Sequence, residues 1–166
     1  MVTDRAPRER NDINWRAPRC AGFQRHHLIP AALLARPQVA AMMAALRRHG
    51  YDIHSFGENG LLLPQTEAAA LRLGHALHRG PHPGYSDVVA ARVETIRAYH
   101  AMNFVTEPRR AAVDAIGRLR LLQITTRRAL TDRHRLSFFL NRRDPMRLFA
   151  DRPYLDDAID RIFAAD

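Results

Sequence analysis

Apolar residues come in short bursts along the first half of the chain and at helical spacing along the second. "FQRHHLI", residues 23–29, has the aromatic and branched character of a short strand, and Pro30 ends it. "QVAAMMAALRRHG", residues 38–50, repeats apolar residues at helical spacing and closes on Gly50, which suits the position just past a helix. "YDIHSFGENG" carries two glycines, an Asp and an Asn and predicts a turn. "LLLP" then reads as a short buried strand stopped by Pro64. Thr66 is suited to cap a helix through "EAAALRLG".

"HALHRGPHPG", residues 75–84, is broken by Gly80, Pro81, Pro83 and Gly84 and predicts mostly turn. Pro83 fits the first position of the helix that follows, where Val88, Val89, Val93 and Ile96 make an apolar stripe. From Pro108 on the pattern predicts helix throughout, with Val113, Ile116, Leu119 and Leu122 stacked at three-residue steps. The tail predicts two short helices parted near Pro153. The order is strand, helix, turn, strand, then helix after helix. That is an α+β chain, mostly helical, with a helical C-terminal extension. It divides into a basic arm (1–22), a small module (23–104) and a basic helical extension (105–166).

Composition narrows the classes. At 166 residues and 46% apolar content the chain suits one domain with a buried core. No window approaches the roughly 18 uncharged apolar residues of a membrane span, and the N-terminus lacks the apolar core of a secretory signal. A single cysteine, Cys20, excludes an internal disulfide and a cysteine-built zinc site. The formal charge is +9 and every basic residue is arginine. A GC-rich genome is the simplest account of that bias. The charge itself still favours a polyanionic partner, because each arginine on a phosphate releases a condensed counterion. Residues 105–145 are the most basic block, and Arg109, Arg110, Arg118, Arg120, Arg127, Arg128, Arg142 and Arg143 would give affinity for phosphates without reading bases. A packing lobe that covers the module is the plainer role for this block.

The nine histidines change the picture more. A lone histidine is ordinarily a surface residue or a satisfied core residue. Here His26 and His27 close the first predicted strand, and His75, His78 and His82 cluster after the second. Neutral imidazoles bind zinc, nickel, copper or manganese, and a catalytic site needs about three protein ligands and an open position. His78 and His82 with His26 would complete such a set, leaving His27 as a general base with an ordinary pKa close to neutral pH.

"RHHLIP", "ENGLLLP" and "LHRGPHPGYSDVV", within residues 23–97, resemble the AHH group of HNH nucleases in the ββα-metal superfamily. The shared features are a His-His pair before an apolar dipeptide and Pro, an Asn-Gly before an apolar triplet and Pro, and HxGxH followed by Pro and Tyr85. Arg25 stands where the group has its alanine. The resemblance implies a small ββα-metal module and a metal-dependent endonuclease acting on nucleic acid, DNA rather than RNA. It implies one divalent ion (Zn, Ni, Mg or Mn) held by His26, His78 and His82, with His27 deprotonating the attacking water. Asn59 would hold the loop that orients the base through hydrogen bonds to the backbone.

His75 is an alternative ligand if the helix from Thr66 runs further, and Glu58 and Asp87 are candidates to orient a ligating ring. Arg25 and Arg79 adjoin the centre and would clamp a phosphate. Many relatives in the group are C-terminal domains of secreted bacterial toxins, so a toxin or effector nuclease with an immunity protein as partner is a further expectation. The chain starts with its own Met and carries no delivery domain, so it is either a stand-alone protein or a piece of something larger. A non-catalytic, metal-stabilised nucleic-acid-binding protein is the alternative function.

Overall fold

The computed structural model describes residues 20–131 and the backbone of residues 139–141. Most of the basic arm, the tail around Pro153, His134, and the side chains of Arg142 and Arg143 lie outside the described residues.

Strand β1 (Phe23–His27) pairs antiparallel with β2 (Gly60–Pro64), so that His26 faces Leu61 and His27 faces Gly60 across the ladder. The strand ends at His27, two residues before the apolar run does. Leu28 and Ile29 are fully buried and enter the core instead. A 3-10 turn (Ala31–Ala35) and α1 (Pro37–Arg47) follow, and α1 buries Val39, Met42, Met43 and Leu46 at helical spacing. Gly50, with φ of 89°, takes the left-handed conformation that the chain reversal after α1 requires.

The glycine-rich stretch predicted as turn contains a single helical turn, α2 (Phe56–Asn59), leading straight into β2. Helix α3 (Glu67–Leu73) is capped as its sequence predicts, with the Thr66 hydroxyl accepting from the Ala69 amide at 3.3 Å.

Two predictions are corrected. "HALHRGPHPG", expected to be mostly turn, contains a strand: Leu77–Arg79 form β3, paired parallel with β4 (Phe139–Asn141). For the same reason the chain after Pro108 is not helical throughout. Pairing between strands 62 residues apart leaves no local sequence signal, and tertiary context decides it.

Helix α4 (Pro83–Phe104) starts on Pro83 and buries Tyr85, Val89, Val93 and Ile96. Helix α5 (Pro108–Thr131) packs along α4 through Ala112, Ala115, Ile116, Leu119 and Leu122. Val113 is exposed, because three-residue steps drift around a helix of 3.6 residues per turn and carry it off the buried face. Leu28, Ile29, Leu63, Val93, Leu119 and Leu122 share one core, each contributing about 1.5–3 kcal/mol by burial. The β1–β2 pair meets both helices, the Tyr85 ring of α4 packing on His26 and Arg127 of α5 donating to the Gly60 carbonyl. No helix among the described residues is long and apolar enough to cross a membrane.

Candidate metal centre and active site

Three elements converge on one point. His26 comes from β1, where strand alternation turns it inward; His78 comes from β3; His82 stands at the N-terminal cap of α4. Their ring centroids are 4.8–5.2 Å apart, and one nitrogen from each lies within 4.8 Å of the others. His26 and His78 are buried, and His82 is half-buried.

Burial, followed by the neighbouring His82 and His78, holds His26 well below its ordinary pKa. Burial and His82 lower His78 to about 4, and burial lowers His82. All three are therefore neutral imidazoles at pH 7, the form that offers a lone pair.

The second nitrogens are arranged accordingly. His78 Nδ1 lies 2.6 Å from Gln24 Oε1 and donates to it, which leaves Nε2 as the free acceptor. His82 Nδ1 lies 3.3 Å from the Ser86 hydroxyl. Among the described residues His26 Nε2 is buried without a hydrogen-bond partner, a state that costs about 1–3 kcal/mol unless something binds there. A buried orphan nitrogen facing two neutral imidazoles fits a divalent cation of the kind that takes nitrogen ligands.

The cluster lines an open cleft of about 750 Å³ together with Arg25, His27, Pro30 and Ser86. His27 is half-buried, and burial first, then the charges of His54 and Arg25, lower its pKa. It too is neutral at pH 7.

The segment after the histidine pair is held from three sides. Asn59 is fully buried; its Oδ1 accepts from the Ile29 amide at 2.8 Å, and its Nδ2 donates to the Ile29 and Ile53 carbonyls at 2.8 Å each. The Leu28 amide donates to the Asn59 carbonyl at 2.9 Å. The Tyr85 hydroxyl donates to the Leu28 carbonyl at 2.6 Å, and its ring packs edge-on against His26 and His82.

Other expected residues fall elsewhere. His75 sits between α3 and β3, outside the three-histidine group, because the helix ends at Leu73 on a left-handed Gly74. Glu58 pairs with Arg120 at 3.4 Å instead of facing a histidine, and Asp87 is exposed on α4. Arg25 is exposed on the lip of the cleft. Arg79 turns away, donating to the Gln65 carbonyl at 2.9 Å and pairing with Glu67. Gln24, Ser86 and Gln123 are parts of the site that the motifs alone do not mark. Gln24 is two residues before His26 on a strand and Ser86 is four after His82 on a helix, so both were within reach of a periodicity argument. Gln123 was not.

A two-stranded antiparallel sheet, the short β3 and the N-terminus of α4 meet at three imidazoles in a mostly helical α+β protein built on a small ββα module. Residues 9–118 match the AHH family, a nuclease family of the HNH/ENDO VII superfamily with conserved AHH. The chain belongs to that family. The match reaches beyond the motifs on both sides, ending inside α5. No curated protein and no solved structure matches the chain.

Proposed function

We propose that the protein is a metal-dependent endonuclease that hydrolyses phosphodiester bonds of nucleic acid, with DNA rather than RNA as substrate. The observation that carries this is the convergence of three neutral imidazoles within 4.8 Å, with a fourth, His27, on the wall of the same cleft. His26, His78 and His82 would hold one divalent ion, zinc, nickel, manganese or magnesium. Such an ion, when bound, supplies a Lewis acid for the charge that develops on the phosphate and the leaving oxygen.

The chain's own residues do the rest. His27, neutral and open to the cleft, takes a proton from the attacking water at a ring nitrogen, a role that typically contributes 10²- to 10⁴-fold. Asn59 holds the backbone two residues further on at both its amide and its carbonyl, so the imidazole points one way. Arg25, exposed on the lip, is placed to meet a phosphate oxygen. The +9 charge draws a polyanion to the surface. A bacterial toxin or effector setting, with an immunity protein as partner, extends this reading to the protein's role. Co-expression with a neighbouring gene that abolishes toxicity tests that setting.

The test is incubation with plasmid and with RNA across zinc, nickel, manganese and magnesium, with EDTA as control. Metal-dependent nicking of plasmid is the expected result. Tight nucleic-acid binding without cleavage under any ion would instead make the protein a metal-stabilised binder.

A further inference from the structure

Helix α5 reaches the site through Gln123, a residue beyond the stretch that matches the family. Gln123 is buried, and its Nε2 donates to Asn59 Oδ1 and to the Tyr51 hydroxyl, at 3.2 Å each. One turn on, Arg127 donates through Nη2 to the Gly60 carbonyl at 2.9 Å and the Glu58 carbonyl at 3.3 Å. Three successive residues, Glu58, Asn59 and Gly60, are thus each gripped by α5. Asn59 in turn grips Ile29, two residues from His27, and Gly60 is the ladder partner of His27.

We infer that Gln123 is a positioning residue: it reinforces the sense of the Asn59 side-chain amide that the backbone selects and thereby steadies the orientation of His27. An amide can sit either way round in a pocket of its shape. Only one sense gives the Ile29 amide an acceptor and the Ile29 and Ile53 carbonyls a donor. The Gln123 N–H aimed at Asn59 Oδ1 adds a fourth bond to that sense, and a flipped Asn59 would set two donors face to face unless Gln123 turned with it. Tyr51 accepts from the same nitrogen and keeps Gln123 from swinging away. The inference rests on the nuclease reading where it concerns turnover, and on geometry alone where it concerns the loop.

The experiment uses the full chain and Gln123→Met, which keeps size and loses the donor. Amide hydrogen exchange at Leu28 and Ile29 is expected to quicken about tenfold, with the amides of α1 unchanged. In plasmid nicking, kcat is expected to fall roughly ten- to a hundredfold, with KM and metal affinity unchanged. Ile116→Val, a core change on the same helix away from the clamp, sets how far a mere loss of stability moves these readouts. Should Gln123→Met not fold, Gln123→Asn keeps the amide but shortens its reach, and carries the same expectations. Unchanged exchange at Ile29, an even rise across the chain, or selective exchange with unchanged kcat would each overturn the inference. A wild-type protein that cleaves nothing would instead remove the nuclease reading, and exchange alone would decide whether Gln123 holds the loop.

Discussion

Asn59 shows how one side chain can be worth more to the site than its chemistry suggests. It is fully buried and completes the hydrogen bonding of two backbone segments. Asn59→Ala would leave the Ile29 amide and the Ile29 and Ile53 carbonyls without it, at about 1–3 kcal/mol for each group left unsatisfied. A loss on the order of 3 kcal/mol in denaturant unfolding is expected; a loss below 1 kcal/mol would mean that those groups find other partners. At this scale the sequence was readable where chemistry is local. The His-His pair and the HxGxH spacing carry their meaning within a few residues. Gln123, 64 positions from Asn59, carries none.

At the scale of elements, Gly60 ties α2 to β2. Its backbone is ordinarily extended, with φ of −110°, so conformational freedom is not why glycine is needed. A Cβ at this position would overlap the Phe56 ring. Gly60→Ala is therefore expected to cost about 1–3 kcal/mol by overpacking, and to disturb His27 across the ladder. In a Phe56→Ala background the same change should cost almost nothing. An equal cost in both backgrounds would place the cause elsewhere. The strands and helices with their own periodicity, β1, β2, α1, α3 and α4, were legible from the sequence. The short β3 was not, because two prolines and two glycines mask it and its partner lies far along the chain.

Across the whole molecule, the histidines make stability depend on pH. His100 is buried on α4 against Phe104, with Nε2 lacking a hydrogen-bond partner among the described residues, and burial lowers its pKa. The unfolded chain then binds the proton more readily than the fold, so its contribution is complete above about pH 6.5 and is lost as pH falls below that. His100→Leu should flatten the decline of the denaturation midpoint between pH 7 and pH 5 in the presence of EDTA. A steeper decline in the variant would contradict this.

The surface charge is less free than the composition suggests. Arg110 pairs with Glu107, Arg118 with Asp114 and Arg120 with Glu58, while Arg118 also lies 4.5 Å over the Tyr99 ring. Exposed pairs of this kind contribute roughly 0–1 kcal/mol.

In the proposed mechanism adjacent histidines divide the labour, His26 on the cation and His27 on the water. Plasmid nicking and metal binding measured together on His27→Ala and His82→Ala decide whether they do. His27→Ala should lose nicking by at least about a hundredfold while binding metal as the wild type does, and His82→Ala should bind metal more weakly. Full cleavage by His27→Ala, or cleavage by the wild type that EDTA does not touch, would contradict it.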